Sequence, residues 1–184
     1  MATVTKDDPN CPSDIVFIGN IDLRPYTEHP NTTLPPPHAT ARMNIDVLAS
    51  GHYEHVGFKD VMVFLEIKGP SGVRFVEGAD RDNWLWGIPD GGGGWTEIPT
   101  GTPTTLLRMR KPDAVSLIRP KPIDGLTYYV GLSGLPPGGS VDLKVSATAS
   151  RVLATAQSCS IEVTDLRVGD ELRGYLSGNP SDTG

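Results

Sequence analysis

The chain has 184 residues, with 22 acidic against 16 basic side chains and a formal net charge of -6. That balance, with no segment where Lys or Arg gather, excludes the basic surface that nucleic-acid binding needs. A single domain of this length buries roughly 70% of its extended surface, so its core needs no metal to hold it, and no apolar run approaches the 18 or so residues of a membrane helix.

Gly 21 and Pro 17 fall between short apolar runs, which is how all-β chains are punctuated. The opening MATVTKDDPN lacks the basic then apolar pattern of a signal peptide, so the chain as given reads as soluble with no membrane span. Its compartment is unknown from sequence, with extracellular, cell-surface or particle-borne sites favoured. Cys11 and Cys159 sit near opposite ends. A disulfide between them would close a loop worth about 4 to 5 kcal/mol in the chain-entropy model, and two separate thiols are the alternative.

In chain order, Ile15 to Leu23 gives a first strand, and Pro25 to Ala39, with Pro30, Pro35, Pro36 and Pro37, reads as an extended crossing between sheets. Met43, Ile45 and Val47 mark a second strand, ended by Ser50-Gly51. The densest apolar run is DVMVFLEIK, with Val61, Val63, Leu65 and Ile67 on one parity and Met62 and Phe64 on the other. Apolar residues on both parities predict a mid-sheet strand covered on both faces. Gly69-Pro70-Ser71-Gly72 is turn chemistry, and Val73 and Phe75 resume the alternation. Residues 78 to 94 read as a long loop insertion rich in Gly, Asp and Trp. Leu106 to Met109, Val115 to Ile118 and Leu126 to Leu132 predict further strands.

The clearest alternation is Val141, Leu143, Val145 and Ala147 against Asp142, Lys144, Ser146 and Thr148, continued by Ile161 and Val163. Leu166 to Leu176 fits a terminal strand or a short helix, and 177–184 a flexible tail. Roughly eight to ten short strands with regular turn signals predict an all-β, Greek-key sandwich of two antiparallel sheets, one domain over 1–176.

Asn44 to Gly51, Val61 to Ile67 with the following Gly69-Pro70-Ser71-Gly72-Val73-Arg74-Phe75, and Leu135-Pro136-Pro137-Gly138-Gly139-Ser140 leading into Leu143 and Val145 carry a resemblance. Together they resemble the immunoglobulin-like conserved-repeat modules of bacterial and archaeal surface proteins, over about residues 42 to 165. The resemblance implies an immunoglobulin-like seven-strand fold, no catalysis, and a spacing, adhesive or assembly role. Two departures stand out: such modules come in tandem whereas one copy is present here, and the Trp and Gly-rich insertion exceeds what the module needs.

That insertion holds the candidate binding residues. Trp84 and Trp86 at i, i+2 share one face of an extended segment, and Trp95 follows Gly91 to Gly94. Three indoles beside a glycine hinge would make a platform for sugar rings or an anchor for a protein, with Asp80, Asp82 and Asp90 bonding hydroxyls. Against this stands burial of the tryptophans at the end of the core. Loop-bound calcium at Asp80-Arg81-Asp82-Asn83 is a weak alternative to a solvated turn, since the EF-hand spacing is not met. His52 and His55 lack a third zinc ligand, and neither Ser133 nor Ser177 sits in a Gly-x-Ser-x-Gly elbow. No cofactor and no catalytic residue is therefore expected. The reading is a non-enzymatic structural or interaction module, with protein partners or self-assembly through edge strands and end loops. The alternative is a carbohydrate-binding module using the tryptophans.

Overall fold

The computed structural model describes residues 3–6, 16–25, 39–49, 57–78, 84–112, 115–116, 127–136, 138–151 and 161–173. These form strands β1 (Thr3–Lys6), β2 (Val16–Pro25), β3 (Ala41–Ala49), β4 (Gly57–Gly69), β5 (Arg74–Gly78), β6 (Leu85–Pro89) and β7 (Trp95–Glu97). Further along lie β8 (Leu106–Lys111), β9 (Val115–Ser116), β10 (Thr127–Ser133), β11 (Ser140–Arg151), β12 (Ile161–Arg167) and β13 (Glu171–Arg173). Eight strands make one sheet in the order β1-β12-β11-β4-β8-β6-β7, with β9 extending alongside β4. Five make the other, β13-β2-β3-β10-β5, and every pairing is antiparallel. The two sheets pack as a β-sandwich, as the alternation predicts.

The core is the sum of the inward parities. Val141, Leu143, Val145 and Ala147 are buried while Asp142, Lys144, Ser146 and Thr148 between them are partly exposed, so β11 buries one face only. Val61, Val63 and Leu65 of β4 meet Ile21, Leu23, Met43 and Ile45 of the facing sheet in one apolar cluster. The turn after β4 carries the chain from the larger sheet to the smaller.

Two acidic residues absorb breaks in the alternation. Ile161 and Val163 point inward and so does Leu166, three residues on, which leaves one extra residue in β12. The bulge puts Asp165 at φ 58, and its N–H donates to Asp142 Oδ1 at 2.9 Å. A second bulge, in β4 against β11, puts Asp60 at φ 56. Asp and Asn tolerate this left-handed region better than most side chains, and a bulge supplies it.

Several expectations are corrected. β1 is a strand that local sequence does not signal, because Thr3-Val4-Thr5-Lys6 is too short and polar; it pairs with the chain's own β12, Lys6 opposite Ile161. The insertion 78–94 is not one long loop: Leu85–Pro89 and Trp95–Glu97 form a hairpin that extends the larger sheet. The terminal segment is a strand where it is described, since β13 pairs with β2. Strand β4 does lie mid-sheet, but its second parity is half-buried, and among the described residues no further layer covers it. Cys11, Cys159, Asp80, Asp82, Asn83, His52, His55 and Ser177 lie outside the described residues, as do most of the Pro25 to Ala39 crossing and the 177–184 tail.

Candidate functional site

The hairpin turn is built by Asp90. Its Oδ1 accepts the N–H of Gly92 at 2.7 Å and of Gly94 at 3.0 Å, while its own N–H donates to the Gly94 carbonyl. Gly91 and Gly93 take φ 86 and 90, which side chains other than glycine rarely adopt. The glycine run is thus a turn tied by one carboxylate oxygen of Asp90.

The tryptophans part company. Trp84 and Trp86 are 3% and 1% exposed and belong to the core cluster, so the i, i+2 spacing puts them on one face, and that face is the inner one. The Trp86 Nε1–H donates to the Thr102 carbonyl at 3.1 Å, which meets the polar need of a buried indole. Neither ring is available to a ligand. Trp95, opposite Pro89 across the hairpin, is half-buried on the outer face of the larger sheet.

There it joins residues that sequence reading passed over. One register row runs Ser146, Phe64, Arg108, Gly87, Glu97 across five strands. Gly87 has no side chain, and a Cβ built there would touch Arg108 Nε at 3.5 Å, so the arginine side chain lies across the glycine. Arg108 Cζ sits 5.6 Å from the centre of the Trp95 ring, and the Phe64 ring is 5.4 Å from that of Trp95 at an interplanar angle of 55°. A guanidinium against an indole gains from the ring's negative face, and tilted aromatic pairs are favoured over stacked ones.

The arginine one row away is different. Arg110 Nε donates to Asp60 Oδ1 at 2.6 Å and its Nη1 to Glu97 Oε1 at 3.1 Å, joining the β4 bulge, β8 and β7. The hydrogen bond to Asp60 raises its pKa further above the usual arginine value, against a lowering by burial. Arg24 and Arg167 likewise hold carboxylates, of Asp22 and Asp165. Arg108 has no such carboxylate among the described residues, and its buried Nε has no acceptor. Beside it an open depression of about 130 Å³ is lined by Phe64, Leu65, Glu66, Leu106, Lys144 and Ser146. Leu85, 37% exposed, extends the apolar part of the same face opposite Arg110.

No protein-family model and no curated protein matches this chain.

Among the described residues no three His, Cys, Asp or Glu side chains are grouped to hold a metal ion, and no helix is long and apolar enough to cross a membrane. Ser133, read from sequence only as a failed elbow, is a buried strand residue of β10. The signal for the missed surface was in DVMVFLEIK. Phe64 lies on the parity opposite Val63 and Leu65, and an aromatic on the outward parity of a sheet edge-paired on both sides marks a patch as readily as a second core.

Proposed function

We propose that this chain is a non-enzymatic recognition module on an immunoglobulin-like Greek-key sandwich, working in a surface, secreted or particle-borne assembly. The order β2-β3-β10-β5 facing β12-β11-β4 supports the fold assignment, since it matches A-B-E-D facing G-F-C; β8 and the β6–β7 hairpin, inserted in the chain between D and E, widen the second sheet beyond C. The interior is filled by apolar side chains, while the ionised groups gathered at Asp60, Arg110 and Glu97 neutralise one another on a sheet face. That division of labour suits binding better than acid–base chemistry.

The observation that carries the reading is the half-buried Trp95 packed with Phe64 and Arg108. Tryptophan and arginine dominate the energetics of protein interfaces, above all where a pocket adjoins them. Recognition by the face is also favoured over recognition by strand edges. β7 spans three residues, and β5 is bridged by Thr104, whose N–H and carbonyl pair with Phe75 at 3.1 and 2.8 Å. Short or covered edges resist pairing with a further strand.

A photo-activated cross-linker placed at Leu85, in the protein expressed in its native source, should give one dominant adduct. The same group at Glu171, on the other sheet, should give none. Equal adducts at both positions, or none at either, would contradict a binding role for this face. Carbohydrate recognition is the second reading, favoured by the exposed part of the Trp95 ring beside a polar-rimmed depression.

A further inference from the structure

Resting on the recognition reading, we propose that the Trp95, Phe64 and Arg108 cluster with its adjoining depression binds an acidic saccharide, one whose pyranose rings carry carboxylates. The chemistry of each part points to the same ligand. A pyranose ring offers an apolar C–H face that packs on aromatic side chains, and Trp95 and Phe64 present two such surfaces at 55° to one another. Its hydroxyls need both acceptors and donors. The lining of the depression includes the half-exposed Glu66 carboxylate, 4.0 Å from Lys68 Nζ, and the Ser146 hydroxyl.

The carboxylate is called for by Arg108. Arg24, Arg110 and Arg167 on these sheets each hold an acidic side chain; Arg108, like Arg42 and Arg74, holds none among the described residues, and of these three it is the one with a buried Nε that has no partner. Its Nε is buried without an acceptor, and its terminal nitrogens are not among the fully buried, unsatisfied atoms. The side chain runs past Gly87, where a Cβ would lie 3.5 Å from its Nε, and its Cζ sits 5.6 Å from the centre of the Trp95 ring, so two neighbours restrict it before any ligand arrives. A guanidinium fixed in this way suits two-point pairing with a carboxylate, a charge-assisted contact about twice as strong as a neutral one.

The spacing fits one sugar residue. Leu106 lines the depression and lies two residues from Arg108 on the same face of β8, about 7 Å along the strand. One pyranose ring with its carboxylate spans that interval. An acidic peptide would satisfy Arg108 as well and could donate backbone N–H groups to Glu66, but it lacks the flat apolar C–H face of a pyranose that packs on Trp95 and Phe64.

The test is a titration of the full chain, followed by the indole N–H resonances, with a short oligogalacturonate, its neutral methyl ester, an acidic Asp-Leu peptide and sodium acetate. The acidic oligomer should shift the Trp95 resonance saturably and leave that of Trp86 in place. The methyl ester, and the acidic oligomer on Arg108→Gln, should each bind about tenfold more weakly or worse, and added salt should weaken binding further. Trp95→Ala, followed by calorimetry, should abolish binding while the far-ultraviolet spectrum is retained. Absence of a saturable shift, equal binding of the ester, or an unaffected Arg108→Gln would overturn the proposal. So would a peptide or acetate that binds as tightly as the oligomer. If the saccharide fails while the Leu85 cross-link persists, the ligand class falls and the recognition surface stands.

Discussion

Replacing Trp86 with alanine is expected to cost about 3 to 5 kcal/mol of stability, read as a lowered midpoint in urea or guanidinium unfolding. The residue is 1% exposed, one of the largest fully buried side chains, and its indole N–H is bonded to Thr102. Alanine leaves a void among side chains from both sheets and deprives the Thr102 carbonyl of its donor. Since whole domains have about 5 to 15 kcal/mol to lose, the variant would sit near the edge of folding. Trp95→Ala removes the same side chain from the outer face and should cost less, about 1 to 2 kcal/mol, because the ring is only partly buried and lies on an open sheet face. Equal losses for the two would contradict the division of the tryptophans between core and surface.

Gly134→Ala is expected to cost at least about 2 kcal/mol, and Gly138→Ala about 1 kcal/mol, from the φ penalty alone. Both glycines lie between β10 and β11 with positive φ, 78 and 72. They differ in what surrounds them. A Cβ at Gly138 would meet nothing within 4 Å, whereas one at Gly134 would collide with the carbonyl oxygen of Gly72. The β10–β11 turn therefore packs on the backbone of the β4–β5 turn, where no side chain can swing away. The difference between the two variants, measured by thermal unfolding, isolates that contact. A Gly134→Ala protein as stable as Gly138→Ala would show that the turns do not touch.

How much of this could be read in advance depended on which physical rule each residue obeyed. Val141 to Ala147 alternates so regularly that strand, face and burial follow from period two alone. The two-sheet architecture follows in turn, because many such strands must bury one face each. Thr3 to Lys6 carries no pattern, and its place beside β12 is decided by pairing with a partner some 160 positions away, which local sequence does not encode. The bulges at Asp60 and Asp165 are visible only once register is known, although the slip from Val163 to Leu166 hints at the second.

The candidate site was half legible. The pairing of Trp84 with Trp86 on one face was correct, but period two does not say whether that face looks inward. Asp90 preceding four glycines reads as a polar ligand group beside a hinge, and the turn bonds it makes to two backbone N–H groups through Oδ1 carried no sequence signal. Arg108 gave no signal at all. Its significance comes from a buried Nε with no acceptor and no carboxylate partner among the described residues, and from Gly87 two strands' worth of sequence away, which makes room for it. Phe64 was seen but assigned to a second buried face, since an apolar residue on the outer parity is compatible with either a core or a patch.

The central claim is that this sandwich keeps two indoles inside and turns one outward as part of a binding surface. Incorporating 5-fluorotryptophan and adding a soluble paramagnetic reagent would read all three fluorine resonances at once. The account predicts strong broadening of the Trp95 signal and little of those from Trp84 and Trp86. Broadening of either inner tryptophan comparable to that of Trp95, or protection of all three, would contradict it.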